Sequence, residues 1–377
     1  MKYILWLIRI IVGALFIFSG LIKANDPLGL SYKMNEFFDV WNMGFMVPYS
    51  LTLSVLMIGF EIIAGIGLLL GAAFRAFSFL LLLLTLFFTF LTAYVYLTDK
   101  IKECGCFGDC IKISNAETFW KDVVLTILVI ILFAYRKKVQ PLFNGKITFA
   151  LMTLTVVFAF GTQWYTLNYL PYYDCLAYKK GANIWEKMQA PPGSTPDVYK
   201  TMMVYEKDGK QQEFDETNYP WQDTTWKFVD SKSTLVQKGN ADPAIKDFVL
   251  NDYAGNDLTE GILKQPGYTF LLYIKDVKKA SRENIERLQI LVTSANQLNI
   301  PFYVLSSSAK SDADKFAAEY KLQGAQWLII DGTVSKTAMR SNPGLMLLKE
   351  GTIQDKWSFK SYPKGMTLNG SSLTLQQ

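Results

Sequence analysis

The sequence predicts a helical membrane bundle, with four spans plus a fifth connecting span, followed by an α/β domain. Three observations predict it. Five long apolar segments fall within the first 170 residues, the composition turns polar after about residue 170, and strand and helix patterns alternate from Asp242 onwards. Five such segments in so short a stretch are not typical of a soluble core. The chain therefore divides into a membrane region and a globular region.

Each apolar segment reaches the roughly 17 to 25 residues that a helix needs to cross a bilayer. The segments are 4–22, 51–71, 76–97, 119–135 and 147–167. The fourth contains Lys121 and Asp122, which we expect at its interfacial end.

The distribution of basic residues predicts the orientation of these spans. Lys2, Arg75 and the "RKK" run at 136–138 with Lys146 lie in short segments without acidic residues, whereas the loops at 23–50 and 98–118 mix both signs. The positive-inside rule then places the amino terminus in the cytoplasm. Five spans place the globular domain in the periplasm of an inner-membrane protein.

The globular region shows strands at 268–274, 301–307 and 326–331, with helices between them and a terminal strand pair at 344–359. This order is typical of an α/β layered domain. Before it, "TMMVYEKDGKQQEF" predicts a hairpin with its turn at "KDGK".

The composition excludes several functions. The chain has no histidine, which excludes histidine-based nucleophile pairs, histidine general bases and any zinc site that needs histidine. The formal charge of +5 is small and gives no support for nucleic-acid binding. Chemistry must therefore use cysteine, lysine, carboxylates or a cofactor.

Three of the four cysteines lie in "KECGCFGDC" at 102–110, and the fourth is Cys175. We expect Cys110 and Cys175 to form a structural disulfide, because Cys110 lies just before the fourth span, Cys175 follows the fifth, both face outward, and these two spans can form an antiparallel pair. Cys104 and Cys106 are then the candidate catalytic redox pair, since a bond between them closes a very small ring and is easily reduced. Alternatively, the glycine-rich segment only forms a tight turn. A metal site would need all four thiols, so we predict none.

Polar residues inside the membrane region are Arg9, Lys23 and Glu61. A lone carboxylate within a span is costly, which makes a functional or pairing role the default interpretation of Glu61. We hypothesise that Arg9 pairs with Glu61. In the alternative, Arg9 extends to the inner interface and Glu61 stays protonated. Gly13, Gly20, Ala64, Gly67 and Gly71 favour close helix packing.

The membrane region resembles the DoxX-like and MauE group of small four-span proteins. The resemblance rests on "RIIVGALFIFSGLIK" at 9–23, "FEIIAGIGLLLG" at 60–71 and "CGCFGD" at 104–109. It implies a link to respiratory or periplasmic redox maturation, including disulfide formation in a partner protein. The fused layout is similar to DoxX-family proteins of Bacteroidetes.

The globular region resembles thioredoxin-like domains through "PAIKDFVLNDYAGNDLT" at 243–259 and "SNPGLMLLKEG" at 341–351. The second motif implies a cis-proline loop at Asn342 and Pro343. The catalytic Cys-x-x-Cys of such domains is replaced here by "KDVKKAS" at 275–281. Without a thiolate there is no nucleophile for exchange, so we expect a binding module.

These inferences predict the following division: a four-helix domain over 1–140, a fifth span over 141–170, a connector with a small β region over 171–240, a thioredoxin-like domain over 241–364 and a flexible tail over 365–377. The predicted function is an accessory in envelope thiol/disulfide redox or in maturation of a periplasmic partner. The alternative is a non-catalytic scaffold of an envelope complex. A quinone is the candidate cofactor, and the expected partners are membrane lipid and an unidentified envelope protein.

Overall fold

The computed structural model describes residues 2–101, 105, 108–111, 113–215, 218–220, 223–237, 239–322 and 324–376. The membrane region is built from long helices. In chain order they are α1 Lys2–Asn25, α2 Pro27–Val40, α3 Ser50–Leu70, α4 Phe74–Thr98, α5 Asn115–Ala134 and α6 Gly145–Asn168. Short 3₁₀ turns cover Gly44–Tyr49 and Arg136–Lys138.

Local sequence signals set several of the helix ends. Asp26 caps α2 by accepting from the Gly29 amide, with proline at the first helical position. A capping box of Ser114 and Glu117 starts α5. Helix α3 ends at Gly71, whose φ of 73° lies in the left-handed region.

Helices α1 and α3 pack closely because small residues line their contact. A Cβ atom built on Gly65 would lie 2.9 Å from the Gly13 carbonyl oxygen. One built on Gly20 would lie 2.6 Å from Ile62 Cγ1. These contacts fix the antiparallel register of the two helices, as expected for small residues in a helix interface.

Among the described residues, four helices are long and apolar enough to cross a membrane. They span Tyr3–Asn25, Gly44–Leu70, Phe74–Thr98 and Gly145–Asn168. The fourth predicted span forms helix α5, which is not in this set and carries Glu117, Lys121 and Asp122. The chain is a multi-pass membrane protein.

Helix α5 runs alongside α4 over its length. Contacts are made near one end by the rings of Tyr96 and Phe119, 5.7 Å apart, and near the other by Phe79 and Phe133, 5.9 Å apart. Between them, the hydroxyls of Thr89 and Thr126 are 2.8 Å apart. The two helices therefore lie side by side along their full length, at the same level of the bundle.

The connector carries the short helix α7 Ile184–Lys187 and a separate antiparallel sheet. The sheet consists of β1 Val198–Lys207, β2 Lys210–Asp215 and β3 Lys227–Gln237, in the order β2-β1-β3. The β1–β2 hairpin turns at Asp208 and Gly209, within the predicted "KDGK". Segment 177–188 also packs on the following domain, since Ile184 donates its amide to the Gly351 carbonyl.

The globular domain has helices on both faces of a mixed sheet. Its elements are α8 Thr259–Lys264, β4 Tyr268–Ile274, α9 Ile285–Gln297, β5 Phe302–Ser306, α10 Lys310–Tyr320, β6 Gln326–Ile329, α11 Gly332–Ala338, β7 Gly344–Lys349 and β8 Thr352–Ser358. The strand order is β6-β5-β4-β7-β8; β4, β5 and β6 are parallel, and β7 and β8 run antiparallel. This is a thioredoxin-like arrangement, so the predicted fold class is confirmed.

Alternation along β4 builds a core on each face of the sheet. Phe270 and Leu272 pack towards α9 and α10, whereas Leu271 and Tyr273 pack towards α8 and α11. All four side chains are fully buried, as expected for a central strand covered on both sides.

The prediction of a flexible tail over 365–377 is wrong for residues 365–376. These residues form a hairpin of β9 Gly365–Asn369 and β10 Ser372–Gln376, with the turn at "NG" followed by serine. The Leu373 amide donates to the Tyr268 hydroxyl, and Met366 packs in the core near α9. An alternating pattern around Asn-Gly is a hairpin signal that the sequence interpretation missed.

Candidate functional site at the junction

The edge of the thioredoxin-like domain that carries the cis-proline loop is docked on the membrane region. Three points of the domain reach this edge: Lys275 after β4, Arg340 after α11, and the Asn342–Pro343 peptide, which is cis. This edge of the domain contacts the start of α2 and the loop between α4 and α5, which contains Cys110. This junction is the candidate functional site.

Arg340 joins three parts of the chain. Its Nε donates to Asp26 Oδ2 at 2.7 Å, and one terminal nitrogen donates to Asp109 Oδ2 at 2.8 Å. The Arg340 side chain is 8% exposed. Burial opposes its charge, but Asp26 and Asp109 outweigh burial and raise the pKa of Arg340. A buried guanidinium with two carboxylate partners is costly to leave unpaired, so these contacts hold the docked arrangement.

Lys275 lies beside this network. Its Nζ donates to the Tyr32 hydroxyl and to the Arg340 carbonyl, both at 3.2 Å. Burial, followed by the nearby Arg340 charge, lowers the pKa of Lys275 to about 7, although Asp26 opposes the change. Burial also raises the pKa of Tyr32 to about 12. The Lys275 amine is therefore only partly protonated near neutral pH.

The cis-proline loop is tied to the same position. The Lys275 amide donates to Asn342 Oδ1 at 3.0 Å, and Asn342 Nδ2 donates to the Asp276 carbonyl at 2.9 Å. The Ser281 amide donates to the Asn342 carbonyl at 3.0 Å. Asn342 thus fixes both ends of the "KDVKKAS" segment, which contains no cysteine.

Cys110 and Cys175 are joined by a disulfide, with their Cα atoms 4.8 Å apart and their positions 65 apart in sequence. This is the pair expected from the sequence. The bond connects the loop before α5 to the segment after α6.

Each cysteine of this disulfide follows an aspartate that contacts the thioredoxin-like domain. Asp109 pairs with Arg340, and Asp174 accepts from Lys356 Nζ at 2.6 Å. Burial lowers the pKa of Lys356, and Asp174 opposes this effect. The two Asp-Cys dipeptides therefore bring the disulfide and the domain together, around a cavity of about 380 Å³.

Cys104 and Cys106 lie outside the described residues, but Gly105 between them is described. Gly105 has a φ of 71°, and a Cβ atom there would lie 3.1 Å from Lys33 Cγ. The Gly108 amide donates to the Gly105 carbonyl at 3.0 Å. The described part of the loop therefore lies against helix α2.

The hypothesis that Arg9 pairs with Glu61 is wrong. Arg9 donates to the carbonyl oxygens of Leu68 and Leu69, at 2.5 and 2.6 Å, at the end of α3. In the observed antiparallel register Glu61 lies beside Gly20, which is 11 residues, or about 16 Å along a helix, from Arg9. Arg9 therefore satisfies unpaired carbonyls of a helix terminus.

Glu61 pairs with Lys23 instead. Lys23 Nζ lies 2.6 Å from Glu61 Oε1, and the Ser19 hydroxyl donates to Glu61 Oε2 at 3.0 Å. Both charged side chains are almost fully buried, at 4% and 1% exposure. The alternative, in which Arg9 extends to the inner interface and Glu61 stays protonated, also gave Glu61 no charged partner. The sequence signal for this register was Gly20, because a glycine there lets α1 approach α3 closely beside Glu61.

Sequence reasoning missed most of the junction. It did not identify Asp26, Tyr32, Asp109, Asp174, Lys275, Arg340 or Lys356. The available signal was the repeated Asp-Cys dipeptide at 109–110 and 174–175. The remaining residues are brought together only by the docking of two regions far apart in sequence.

The fold and the junction define a multi-pass membrane protein with a docked thioredoxin-like domain. Comparisons with known proteins agree with its first half: residues 1–135 match the family described as Methylamine utilisation protein MauE, which confirms that part of the resemblance. Residues 199–238, which cover the β1–β3 sheet, match a domain of unknown function, DUF8463.

Among curated proteins, the chain is similar to Protein TlpB of Flavobacterium psychrophilum, with 25% identity over 162 residues. The match covers 42% of this chain and 44% of TlpB, less than half the length of that relative. Among solved structures, a thiol:disulfide interchange protein from Bacteroides sp. is similar at 16% identity, covering 29% of this chain and 75% of that one, with a TM-score of 0.24.

Proposed function

We propose that this protein is a membrane component of thiol/disulfide exchange in the cell envelope, an accessory that acts on a partner protein. In this proposal the loop with Cys104 and Cys106 carries the exchange, and the thioredoxin-like domain holds the loop without supplying a thiol. The single observation that carries it is the Arg340–Asp109 ion pair, which ties the cis-proline edge to the cysteine-bearing loop.

The proposed chemistry needs no group outside the two cysteines and a partner. A thiolate of Cys104 or Cys106 attacks a partner disulfide, one partner sulfur leaves as a thiolate, and a mixed disulfide forms. The second cysteine then attacks this bond and releases the reduced partner. Run in reverse, the same two steps oxidise a partner dithiol.

The proposed orientation places the junction in the periplasm and the amino terminus in the cytoplasm of the inner membrane. Arg9 contacts the carboxyl end of α3, and the Leu142 amide donates to Leu70, so the basic segments at 75 and 136–138 gather at the end opposite the junction. The positive-inside rule supports a cytoplasmic location for that end. The matched depth of α4 and α5 supports α5 as the remaining span.

The match to the MauE family supports the membrane part of this proposal. The MauE match covers the region that contains all three loop cysteines. The finer resemblance to DoxX-family proteins is part of this proposal.

The test is the thiol state of envelope proteins in cells that express the full chain. We expect the double variant Cys104→Ser, Cys106→Ser to change the trapped thiol pattern of at least one envelope protein. The matched control is Cys110→Ser, Cys175→Ser, which removes the same number of sulfurs but leaves the proposed redox pair. An unchanged pattern in the Cys104, Cys106 variant, at equal protein level, would refute the exchange function.

A second candidate function is a scaffold for an envelope complex. It is favoured by the β1–β3 sheet, where Tyr205, Phe214 and Phe228 form an aromatic cluster on a largely exposed sheet. A scaffold would lose its partner when this cluster is changed and keep it when Cys104 and Cys106 are changed. Co-purification of the partner with the two sets of variants separates the functions.

A further inference from the structure

A polar groove lies between helix α2 of the membrane region and helix α11 of the thioredoxin-like domain. Its volume is about 350 Å³, which is in the range of specific ligand sites. Asp109 and Arg340, which pair at 2.8 Å, line part of it. The groove is therefore a feature of the docked arrangement, and neither region forms it alone.

Each of the two main walls of the groove is one side of a helix. The lining residues are Gly29, Tyr32, Lys33, Asn35, Glu36 and Asp39 on α2, and Thr333, Lys336, Thr337 and Arg340 on or just after α11. Spacings of three and four residues place such positions on the same side of a helix. The α2 wall carries two carboxylates, whereas the α11 wall carries basic and hydroxyl groups.

Two charges of the groove are not used in ion pairs within the described part of the chain. On α2, Lys33 Nζ pairs with Glu36 at 3.0 Å. The Asp39 carboxylate and the Lys336 ammonium form no ion pair with another described residue, and both residues are exposed. Lys336 Nζ lies 5.6 Å from the ring centre of Tyr32. One available acid and one available base thus line the groove on opposite walls.

A buried hydrogen-bond acceptor lines the same groove. Asn35 Oδ1 is buried and has no hydrogen-bond partner among the described residues. A buried acceptor without a donor is costly, so an N–H group in the groove would be stabilised there. Asn35 lies between Tyr32 and Asp39 along α2, and therefore between the available base and the available acid.

We propose that this groove binds an extended segment of the partner polypeptide. A backbone N–H of the segment donates to Asn35 Oδ1, a basic side chain pairs with Asp39, and an acidic side chain pairs with Lys336. The inference rests on the proposed function for the identity of the occupant, because thiol exchange needs a partner protein to dock. The groove itself is defined by described residues alone and includes neither cysteine of the proposed exchange pair.

The positions of the two charges predict a spacing within the segment. Lys336 lies beside Tyr32, and Asp39 is seven positions further along α2, which is about 10 Å along the helix axis. An extended chain advances about 3.3 Å per residue, so the basic and acidic residues of the segment should be three positions apart. Side chains at that separation point to opposite sides of an extended chain. This agrees with charges on opposite walls.

The test uses short peptides without cysteine, so that it measures binding apart from thiol chemistry. Fluorescein-labelled peptides with the cores Lys-Ala-Ala-Glu and Glu-Ala-Ala-Lys, flanked by glycine and serine, are titrated with the full-length protein in detergent. Both are needed because the geometry sets the spacing and not the chain direction. We expect saturable fluorescence anisotropy with one of them. Its isomer, Lys-Ala-Glu-Ala or Glu-Ala-Lys-Ala, should bind about fivefold more weakly, since it loses one partly exposed ion pair.

Variants of the protein assign the binding to the two charges. Asp39→Asn and Lys336→Gln should each weaken binding about fivefold. The matched controls are Asp208→Asn and Lys315→Gln, which change exposed residues outside the groove and should bind like the parent protein. The charge reversal Lys336→Glu should shift the preference to a peptide with the core Lys-Ala-Ala-Lys, an outcome that a misfolded variant would not produce.

Absence of saturable binding with both peptides would overturn the inference. Equal affinity for a peptide and its isomer, or unchanged affinity in the two groove variants, would also overturn it. The failure of this inference is distinct from failure of the proposed function. Peptide binding in a protein that leaves envelope thiols unchanged would refute the exchange function only. A change in envelope thiols without peptide binding would refute the groove only.

Discussion

The two regions of the molecule differ in where their cysteines lie. The thioredoxin-like domain has the sheet, the flanking helices and the cis-Pro343 edge, but "KDVKKAS" contains no thiol. The membrane region has three cysteines in one short loop, of which Cys110 is described and lies between α4 and α5. The junction places that loop at the cis-proline edge. The difference teaches that the cis-proline edge of this domain contacts a cysteine-bearing loop from another region of the chain through Arg340 and Asp109.

The largest expected effect comes from separating the two regions at Arg340. Arg340→Ala leaves Asp26 and Asp109 without their buried partner, and we expect a loss of about 3 kcal/mol in the stability of the docked state. Hydrogen exchange of the full-length protein in detergent would report it as faster exchange at 26–32 and 336–342.

The matched control is Arg282→Ala on the same domain. Arg282 pairs with Glu319 at 2.7 Å, but their side chains are 68% and 50% exposed. Exposed pairs contribute little, so this variant should exchange like the unmodified protein. Equal exchange in both variants would show that the ion pairs do not hold the junction.

Removing the disulfide is expected to have a smaller effect. Cys110→Ser with Cys175→Ser opens a closed loop of 65 residues. The chain-entropy estimate for such a loop is roughly 4 kcal/mol. The membrane already restrains α5 and α6, so we expect a loss of about 2 kcal/mol. Thermal unfolding monitored by tryptophan fluorescence would measure this loss of stability. An unfolding curve identical to that of the parent protein would show that the disulfide does not stabilise the fold.

The smallest expected effect is a pH dependence of docking through Lys275. Its pKa falls from an ordinary 10.5 to about 7 in the docked state. Between these values the undocked state binds more protons, so docking is most stable above pH 10.5 and weakens as the pH falls towards 7. Below about pH 7 the loss is complete.

Between pH 9 and pH 8 we expect a loss of about 1.4 kcal/mol, because each pH unit between the two pKa values contributes about that amount. Lys275→Met should remove this pH dependence, whereas Lys279→Met should keep it because the Lys279 side chain is 83% exposed. A Lys275→Met melt with an unchanged pH slope would assign the effect to other groups.

The sequence predicted the elements of each region because their signals are local. Apolar length identified α1, α3, α4 and α6, and alternation of strands and helices identified the order of the thioredoxin-like domain. The β9–β10 hairpin was missed although its signal was also local, at Asn369 and Gly370. Its polar, short strands resemble a tail when only hydrophobic content is considered.

The contacts between elements were less predictable. Pairing of Arg9 with Glu61 was inferred from opposite charge and the reach of the Arg9 side chain, whereas the helix register brings Lys23 to Glu61. The Arg340 network joins residues more than 200 positions apart. Such contacts depend on how two folded regions dock, and no local pattern encodes that.

The central claim is that the membrane loop, and not the thioredoxin-like domain, carries a reversible thiol pair. Full-length protein would be equilibrated in a series of glutathione redox buffers, alkylated, and mapped by mass spectrometry of the peptide that contains Cys104 and Cys106. We predict that this peptide gains two alkyl groups together in one two-electron transition, while Cys110 and Cys175 stay joined. A peptide whose alkylation does not change across the whole series would contradict the account.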